Sequence, residues 1–291
     1  MTTPEVLVHH DSVLLAQAAA ARLVTRLVDV QAAAGGASLV LTGGGIGTAV
    51  LAELAAAPAR DAVDWRRLDI WWGDERFLPA GHPERNETGA RQALLCHLDM
   101  DPARVRAMPG SDGPDGDDPE AAAARYAAWL SQATRPEDHG PVPSFDIVLL
   151  GIGPDGHVAS LFPGLPALYD ERPVVAVRGA PKPPPTRLTL TLPAIQCGRE
   201  VWVLAAGEER PARSGSRCPV SAPCSCRPPG RAGVSGRCSC STGPRPAGCR
   251  PSSAGPASCP PGRHPAAAAG PGGGGPGRTG PGPPSAPPSG R

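Results

Sequence analysis

The stretch Ser38-Leu39-Val40-Leu41-Thr42-Gly43-Gly44-Gly45 decides the fold. Residues 38–41 run as a largely apolar strand straight into three glycines, and residues 46–57 then take up a helical pattern. A strand written as a continuous apolar run, rather than as an alternation, is covered on both faces, which is the condition of a parallel sheet. A glycine-rich turn from such a strand into a helix lies where these sheets receive their ligands, outside the carboxyl ends of the strands.

The same pattern extends in both directions. Upstream, residues 5–8 form a short apolar strand, and Asp11 or Ser12 caps a long Ala-rich helix that stops at Gly35 and Gly36. Downstream, a strand at 68–72 is followed by helices at 87–97 and 119–133 and by a buried strand at 145–150. Further strands follow at 174–177, 186–192 and 200–204. This alternation predicts an α/β fold: a mainly parallel central sheet with helices on both faces, a Rossmann-like three-layer sandwich. The loops after Leu41, Trp72 and Leu150 are all polar or Gly-rich, so they are expected to converge on one pocket.

Composition divides the 291 residues into two unlike parts. Residues 1–210 carry 27 acidic residues against 18 Lys and Arg, a formal charge of minus 9. Residues 211–291 hold ten Arg, no acid, and no Lys, Leu, Ile, Phe, Tyr or Trp. Such a segment lacks the apolar area needed to offset the entropy of ordering, so it reads as a low-complexity, disordered tail. Its vocabulary of Pro, Arg, Gly, Ser, Ala and Cys is that of a GC-rich coding strand translated out of frame. The competing reading, a basic nucleic-acid-binding tail, lacks aromatics among the arginines to stack on bases. No nucleic-acid partner is therefore expected.

Seven of the nine cysteines fall in that tail, at 218, 224, 226, 238, 240, 249 and 259. They show neither the paired Cys-x-x-Cys spacing of zinc sites nor the setting of a secreted disulfide scaffold. Cys96 and Cys197 read as small buried hydrophobes in a reducing compartment. Residues 1–10 lack a basic segment followed by an apolar core and a cleavage site, and no apolar run reaches the roughly 18 residues of a membrane span. The expected setting is cytoplasmic, without a membrane partner.

Each of the three loops carries its own chemistry. Gly43, Gly44 and Gly45 can bring backbone N–H groups and a helix amino terminus onto a phosphate. The dinucleotide fingerprint is not met, because Thr48 stands where the third glycine would be, and no Walker lysine follows. Gly73-Asp74-Glu75-Arg76 puts two carboxylates and a guanidinium at the mouth of the same pocket. Arg76 suits a bidentate contact with phosphate or sugar oxygens. Asp74 suits sugar hydroxyls or the orienting of an imidazole, and sequence alone does not separate it from Glu75. The loop Gly151-Ile152-Gly153-Pro154-Asp155-Gly156-His157 presents a histidine between glycines and an expected helix start. With an unperturbed pKa of about 6.5, a neutral imidazole there can take a proton from water.

The order TGGG (42–45), WWGDERFLP (71–79), HPERN (82–86), LLGIGPDGHVASLFPG (149–164) and PKPPPTRLTLTLP (181–193) resembles the 6-phosphogluconolactonase family over almost all of residues 1–210. Related sugar-phosphate deaminases share a Gly-Asp-Gly-His-type loop but continue toward Asn-Glu-Pro, whereas this chain continues Ala-Ser-Leu-Phe-Pro. The resemblance implies hydrolysis of 6-phospho-D-glucono-1,5-lactone without metal or organic cofactor. His157 would be the general base and Asp74 would position the base or the sugar. Gly43, Gly44, Gly45, Arg76, Asn86, Lys182 and Arg187 would contact the substrate. The alternatives are an isomerase or deaminase on the same fold, or an inactive remnant that only binds sugar phosphates.

Two departures accompany the resemblance. Gly45 stands where many members carry a hydroxyl residue, and Arg210 where they commonly carry Lys. Beyond Arg210 the family's closing helix, strand and helical segment have no counterpart in the sequence. One flank of the sheet is therefore expected to lack cover, leaving the chain marginally stable and prone to aggregate. Oligomeric state has no signature here.

Overall fold

The first apolar run becomes β1 (Glu5–His9), and Asp11 then starts helix α1 (Ser12–Ala34) by accepting the Leu14 N–H at 2.8 Å. Gly35 ends that helix in the left-handed region, φ +75°, and returns its N–H to the Gln31 carbonyl, a conformation glycine adopts without steric cost. Between these caps Leu15, Ala19, Leu23, Leu27 and Val30 recur at helical spacing and turn one stripe into the core. The chain, seen in a computed structural model, is described for residues 4–207 and for the backbone of residues 235–241.

The central sheet is built outward from β2 (Ala37–Leu41), all five residues of which are buried. It pairs in parallel with β3 (Leu68–Trp72) on one side and β5 (Ile147–Gly151) on the other. β5 in turn pairs in parallel with β8 (Glu200–Ala206). With β9 (Ser235–Ser241) the six parallel strands run in the order β1-β9-β8-β5-β2-β3. The register of β2 against β5 is set at the strand starts by Asp146. Its carboxylate accepts the Ser38 N–H at 2.8 Å and hydroxyl at 3.0 Å, while Ser38 Oγ accepts the Asp146 N–H at 2.9 Å.

Helices flank this sheet, as the alternation predicts. α1 packs against α2 (Gly44–Ala56), and α4 (Pro119–Gln132) lies against a second sheet described below. Trp71, Tyr126 and Phe145 form the aromatic centre, with ring centroids 5.8 and 6.2 Å apart in edge-on contacts. β3 is an edge strand, so its Trp72 N–H finds no strand partner. The buried Tyr126 hydroxyl accepts that N–H at 2.9 Å and lies 3.2 Å from the Arg106 carbonyl.

The second sheet is antiparallel, in the order β4 (Asp74–Arg76), β7 (Arg187–Leu190), β6 (Val174–Val177). Gly73 joins the two sheets: its N–H donates to the Leu41 carbonyl at 2.9 Å, and its carbonyl accepts from Leu190 at 2.8 Å. Residues 73–76, read from sequence as a polar loop, thus include a strand. Three charged residues carry no strand pattern of their own, and the ladder is supplied by β7, more than a hundred residues away.

Other expectations also change. The helix expected over 87–97 is α3 (Asn86–Ala93); Leu94 leaves helical geometry at φ −142°, and both Leu94 and Leu95 turn into the core. No helix follows His157, because Val158 bridges to Ile152 and Leu161 and Ala159 takes φ +48°. A short helix not expected from sequence, α5 (Leu192–Gln196), leads into β8. The two cysteines read as buried are not so. Cys96 is exposed and disulfide-bonded, and Cys197 is half-buried, since each sits where a short helical turn brings the chain back to the surface. Strand β9 falls within the stretch read as unable to order. A ladder draws on backbone groups that any non-proline residue carries, and residues 235–241 are free of proline in an otherwise Pro-rich segment. The rest of residues 211–291, and Arg210, lie outside the described residues. No helix among the described residues is long and apolar enough to cross a membrane.

Candidate active site

The carboxyl ends of β2, β3 and β5 open into one pocket of about 710 Å³. Gly43, Gly44, Gly45, Asp74, Arg76, Asn86, His157, Lys182 and Arg187 all line it, while Glu75, the other carboxylate expected at its mouth, does not. The size suits a small phosphorylated molecule.

One wall is the start of α2. Gly44 holds φ +78°, a left-handed conformation that admits glycine readily, and Gly43 precedes it with no side-chain cap. The first-turn N–H groups of a helix have no intrahelical partner, so here the positive helix end borders the pocket at Gly43, Gly44 and Gly45, with Ile46 of the first turn beside them. Thr42 ties this turn to the third loop, its hydroxyl accepting the Gly151 N–H at 3.1 Å.

The opposite wall is β4 with α3. Strand alternation sends Asp74 and Arg76 into the pocket and Glu75 out of the back, which separates the two neighbouring carboxylates. Asp74 is buried. Its carboxylate accepts the Ser160 hydroxyl at 2.7 Å and the Asn86 amide at 3.2 Å, and the same amide reaches the Asp74 carbonyl at 2.9 Å. Asn86 also presses against the bare Cα of Gly43, where a side chain would collide with it. Arg76 Nη1 donates to the Glu84 carbonyl at 2.5 Å, and its Nε is buried without a partner among the described residues.

The rim carries the histidine. His157 Nδ1 lies 2.5 Å from Asp155 Oδ1, and Lys182 Nζ lies 3.7 Å from the same oxygen. With the proton assigned to Nδ1 so that the ring donates to Asp155, Nε2 is left to accept one. Partial burial pushes the Asp155 carboxyl up, but the His157 hydrogen bond and charge, together with Lys182, outweigh it and hold the group below the usual carboxylate range. Gly153 lies under the imidazole, with no room for a Cβ. Phe162 stacks at 4.4 Å between ring centroids, and Arg187 sits 5.6 Å over the other ring's centroid, that of Phe162. Burial pulls the Arg187 guanidinium down from its ordinary range, while Asp74 pushes it up. Its Nη2 straps the 182–184 loop through the Lys182 carbonyl at 2.9 Å.

The carboxylate beside the imidazole is Asp155; Asp74, expected to position either the base or the sugar, is bonded to Ser160 of the histidine loop and to Asn86. Asp155, Ser160 and Arg85 were given no role from sequence. A carboxylate two residues before a histidine, in a glycine-rich turn, was the available signal for Asp155. Among the described residues no group of three or more His, Cys, Asp or Glu is placed to hold a metal ion.

Residues 10–224 match the family model described as glucosamine-6-phosphate isomerases/6-phosphogluconolactonase. A 6-phosphogluconolactonase of Streptomyces coelicolor is 62% identical over 72% of this chain and 80% of its own. One of Mycobacterium tuberculosis is 47% identical over 73% and 87%. Among solved structures, 6-phosphogluconolactonase from Trypanosoma brucei superposes with a TM-score of 0.62 at 30% identity, covering 72% of this chain and 84% of its own. The enzyme from Trypanosoma cruzi gives 0.67 at 26% identity, covering 82% and 94%. On a family match spanning most of its length and relatives at this identity, the chain belongs to the glucosamine-6-phosphate isomerase/6-phosphogluconolactonase family.

Proposed function

We propose that the chain hydrolyses 6-phospho-D-glucono-1,5-lactone to 6-phospho-D-gluconate, with residues 1–210 as its catalytic unit. The observation that carries this reading is the His157–Asp155 pair on the rim of a pocket whose walls offer an uncapped helix start and three cations, Arg76, Lys182 and Arg187. His157 Nε2 takes a proton from water as the water oxygen attacks the lactone carbonyl carbon. Negative charge moves to the carbonyl oxygen, where nearby N–H and cationic groups lower its energy. The intermediate then collapses, the bond from that carbon to the ring oxygen breaks, and the imidazolium returns its proton to the departing oxygen. Asp155 keeps the ring oriented and offsets its positive charge.

The phosphate is assigned to the Gly43–Gly45 turn with Arg76 and Arg187, and Lys182 and Asn86 complete the substrate contacts. Asp74 is assigned to sugar hydroxyls, held in place by Ser160 and Asn86. A phosphate ester carries about 1.5 to 2 negative charges at pH 7, so the substrate stays in the compartment where it is made, which this reading takes to be the cytoplasm. The test is hydrolysis of freshly made lactone by the full chain, measured above the spontaneous rate. Turnover that falls at least about a hundredfold in His157→Ala, with KM little changed, supports the assignment. A soluble wild-type chain that does not accelerate the reaction overturns the reading.

A further inference from the structure

The wall of the pocket is held from behind by a residue that does not touch it. Glu75 is fully buried, and strand alternation turns it away from the substrate side. Its Oε1 accepts the Asn86 N–H at 2.6 Å and the Arg76 N–H at 2.8 Å, and its Oε2 accepts the Glu87 N–H at 2.9 Å. Helix α3 receives no side-chain cap from its own N-cap residue, Arg85, so its first two N–H groups are satisfied by a carboxylate eleven and twelve residues upstream.

The groups facing Glu75 complete a closed cluster. Arg85 Nη2 lies 3.7 Å from Glu75 Oε2 and 3.2 Å from Glu87 Oε2, and it donates to the Met108 carbonyl at 2.6 Å. Glu87 in turn holds Arg91 at 2.9 Å, and Tyr126 lies close enough to feel the Glu75 charge. Two of the three residues whose N–H groups Glu75 holds, Arg76 and Asn86, present side chains to the pocket, and Asn86 bridges Asp74 and the Gly43 turn.

We propose that Glu75 is a positioning residue: through the backbone of Arg76 and Asn86 it sets the spacing between the glycine turn and the Asp74 and Arg76 side chains, and so the affinity for the phosphorylated substrate. A helix cap with no role in the site would stabilise the fold and leave substrate affinity alone. This separates the two by kinetics, because loss of folded protein lowers the maximal rate without changing KM, whereas a displaced binding wall raises KM. The inference rests on the lactonase reading above.

The experiment compares the full chain with Glu75→Gln, which keeps the shape but turns an amide toward a backbone N–H, and with Glu75→Asp, which keeps the charge and shortens the reach. Steady-state lactone hydrolysis is read beside amide hydrogen exchange of residues 74–87. Expected are a KM raised at least about tenfold in Glu75→Gln with kcat within about fivefold, a smaller rise in Glu75→Asp, and faster exchange at Asn86 and Glu87 in both. A KM within twofold of wild type in folded variants, or failure of both to fold, overturns the proposal in favour of a purely structural cap. If the wild type itself does not turn over the lactone, the functional reading falls, while unchanged exchange at Asn86 and Glu87 alone counts against the positioning role.

Discussion

The two sides of the pocket are built on opposite principles. On the β4 and α3 wall, Asp74, Glu75 and Asn86 are 6%, 0% and 8% exposed, and the Asp74 and Glu75 carboxylates and the Asn86 amide are engaged by other parts of the chain. On the rim, the side chains of Asp155 and Lys182 are 36% and 46% exposed, and His157 is held by one carboxylate and one aromatic ring. A wall that must fix a ligand's position gains from burial, where each satisfied hydrogen bond is stronger and rotamers are locked. A rim that must exchange protons with water gains from access to it. The difference fits the proposed roles, in which Asp74 and Asn86 on the buried wall hold the sugar and His157 at the rim handles the proton, with Lys182 and Arg187 adding substrate contacts from the rim side.

The comparison breaks first at the rim. His157→Ala should cost at least about a hundredfold in kcat with KM nearly unchanged; a large rise in KM instead would place the histidine with the binding wall. Asp155→Asn should follow, lowering kcat on the order of tenfold through loss of the charge that orients and offsets the imidazolium. Single-turnover rates compared across pH should show that loss, and an unchanged rate would leave the Asp155 contact without a catalytic part. The KM effect of Glu75→Gln comes next and tests the wall.

Away from both sides, Tyr126→Phe sharpens the contrast as a change of stability alone. It leaves the buried Trp72 N–H without its acceptor, which should cost about 1 to 3 kcal/mol, read as a lower urea midpoint with KM unchanged. A further test of the wall concerns pH. Burial pushes the Glu75 carboxyl up from 4.5 to about 7, against the pull of Arg85 and three backbone N–H groups. Between those two values the folded state binds more protons than the unfolded one, so this group's contribution to stability rises as pH falls. Comparing urea midpoints from pH 8 to pH 5, wild type should gain on Glu75→Gln, and groups common to both proteins cancel. An unchanged difference across that range would show that Arg85 and the N–H donors keep the carboxylate ionised throughout.

The legibility of this site followed the range of the interactions involved. The strand ending in Gly43 to Gly45 and the loop bearing His157 were readable because hydrophobic period, glycine and turn chemistry are local, and a parallel sheet collects the carboxyl ends of its strands at one edge. Asp74 and Glu75 could not be told apart, because their opposite directions exist only once 74–76 pairs with β7. The missing helix after His157 has the same origin, since bridges from Val158 to Ile152 and Leu161 displaced a local preference. Strand β9 lies within residues 211–291, and its place between β1 and β8 carries no hydrophobic pattern from which it could be read.

A parallel α/β sheet, a glycine turn and a histidine loop at one edge were legible in the chain because each is written in short-range pattern, while the lactone substrate was legible only through the family resemblance. Only the tertiary structure decided that Asp155 meets the imidazole, that Asp74 answers to Ser160 and Asn86, and that Glu75 holds the wall from behind. Apart from the local Asp155 contact, these hydrogen bonds span 11 to 86 residues, and no spacing along the chain encodes which partner the fold will bring within reach.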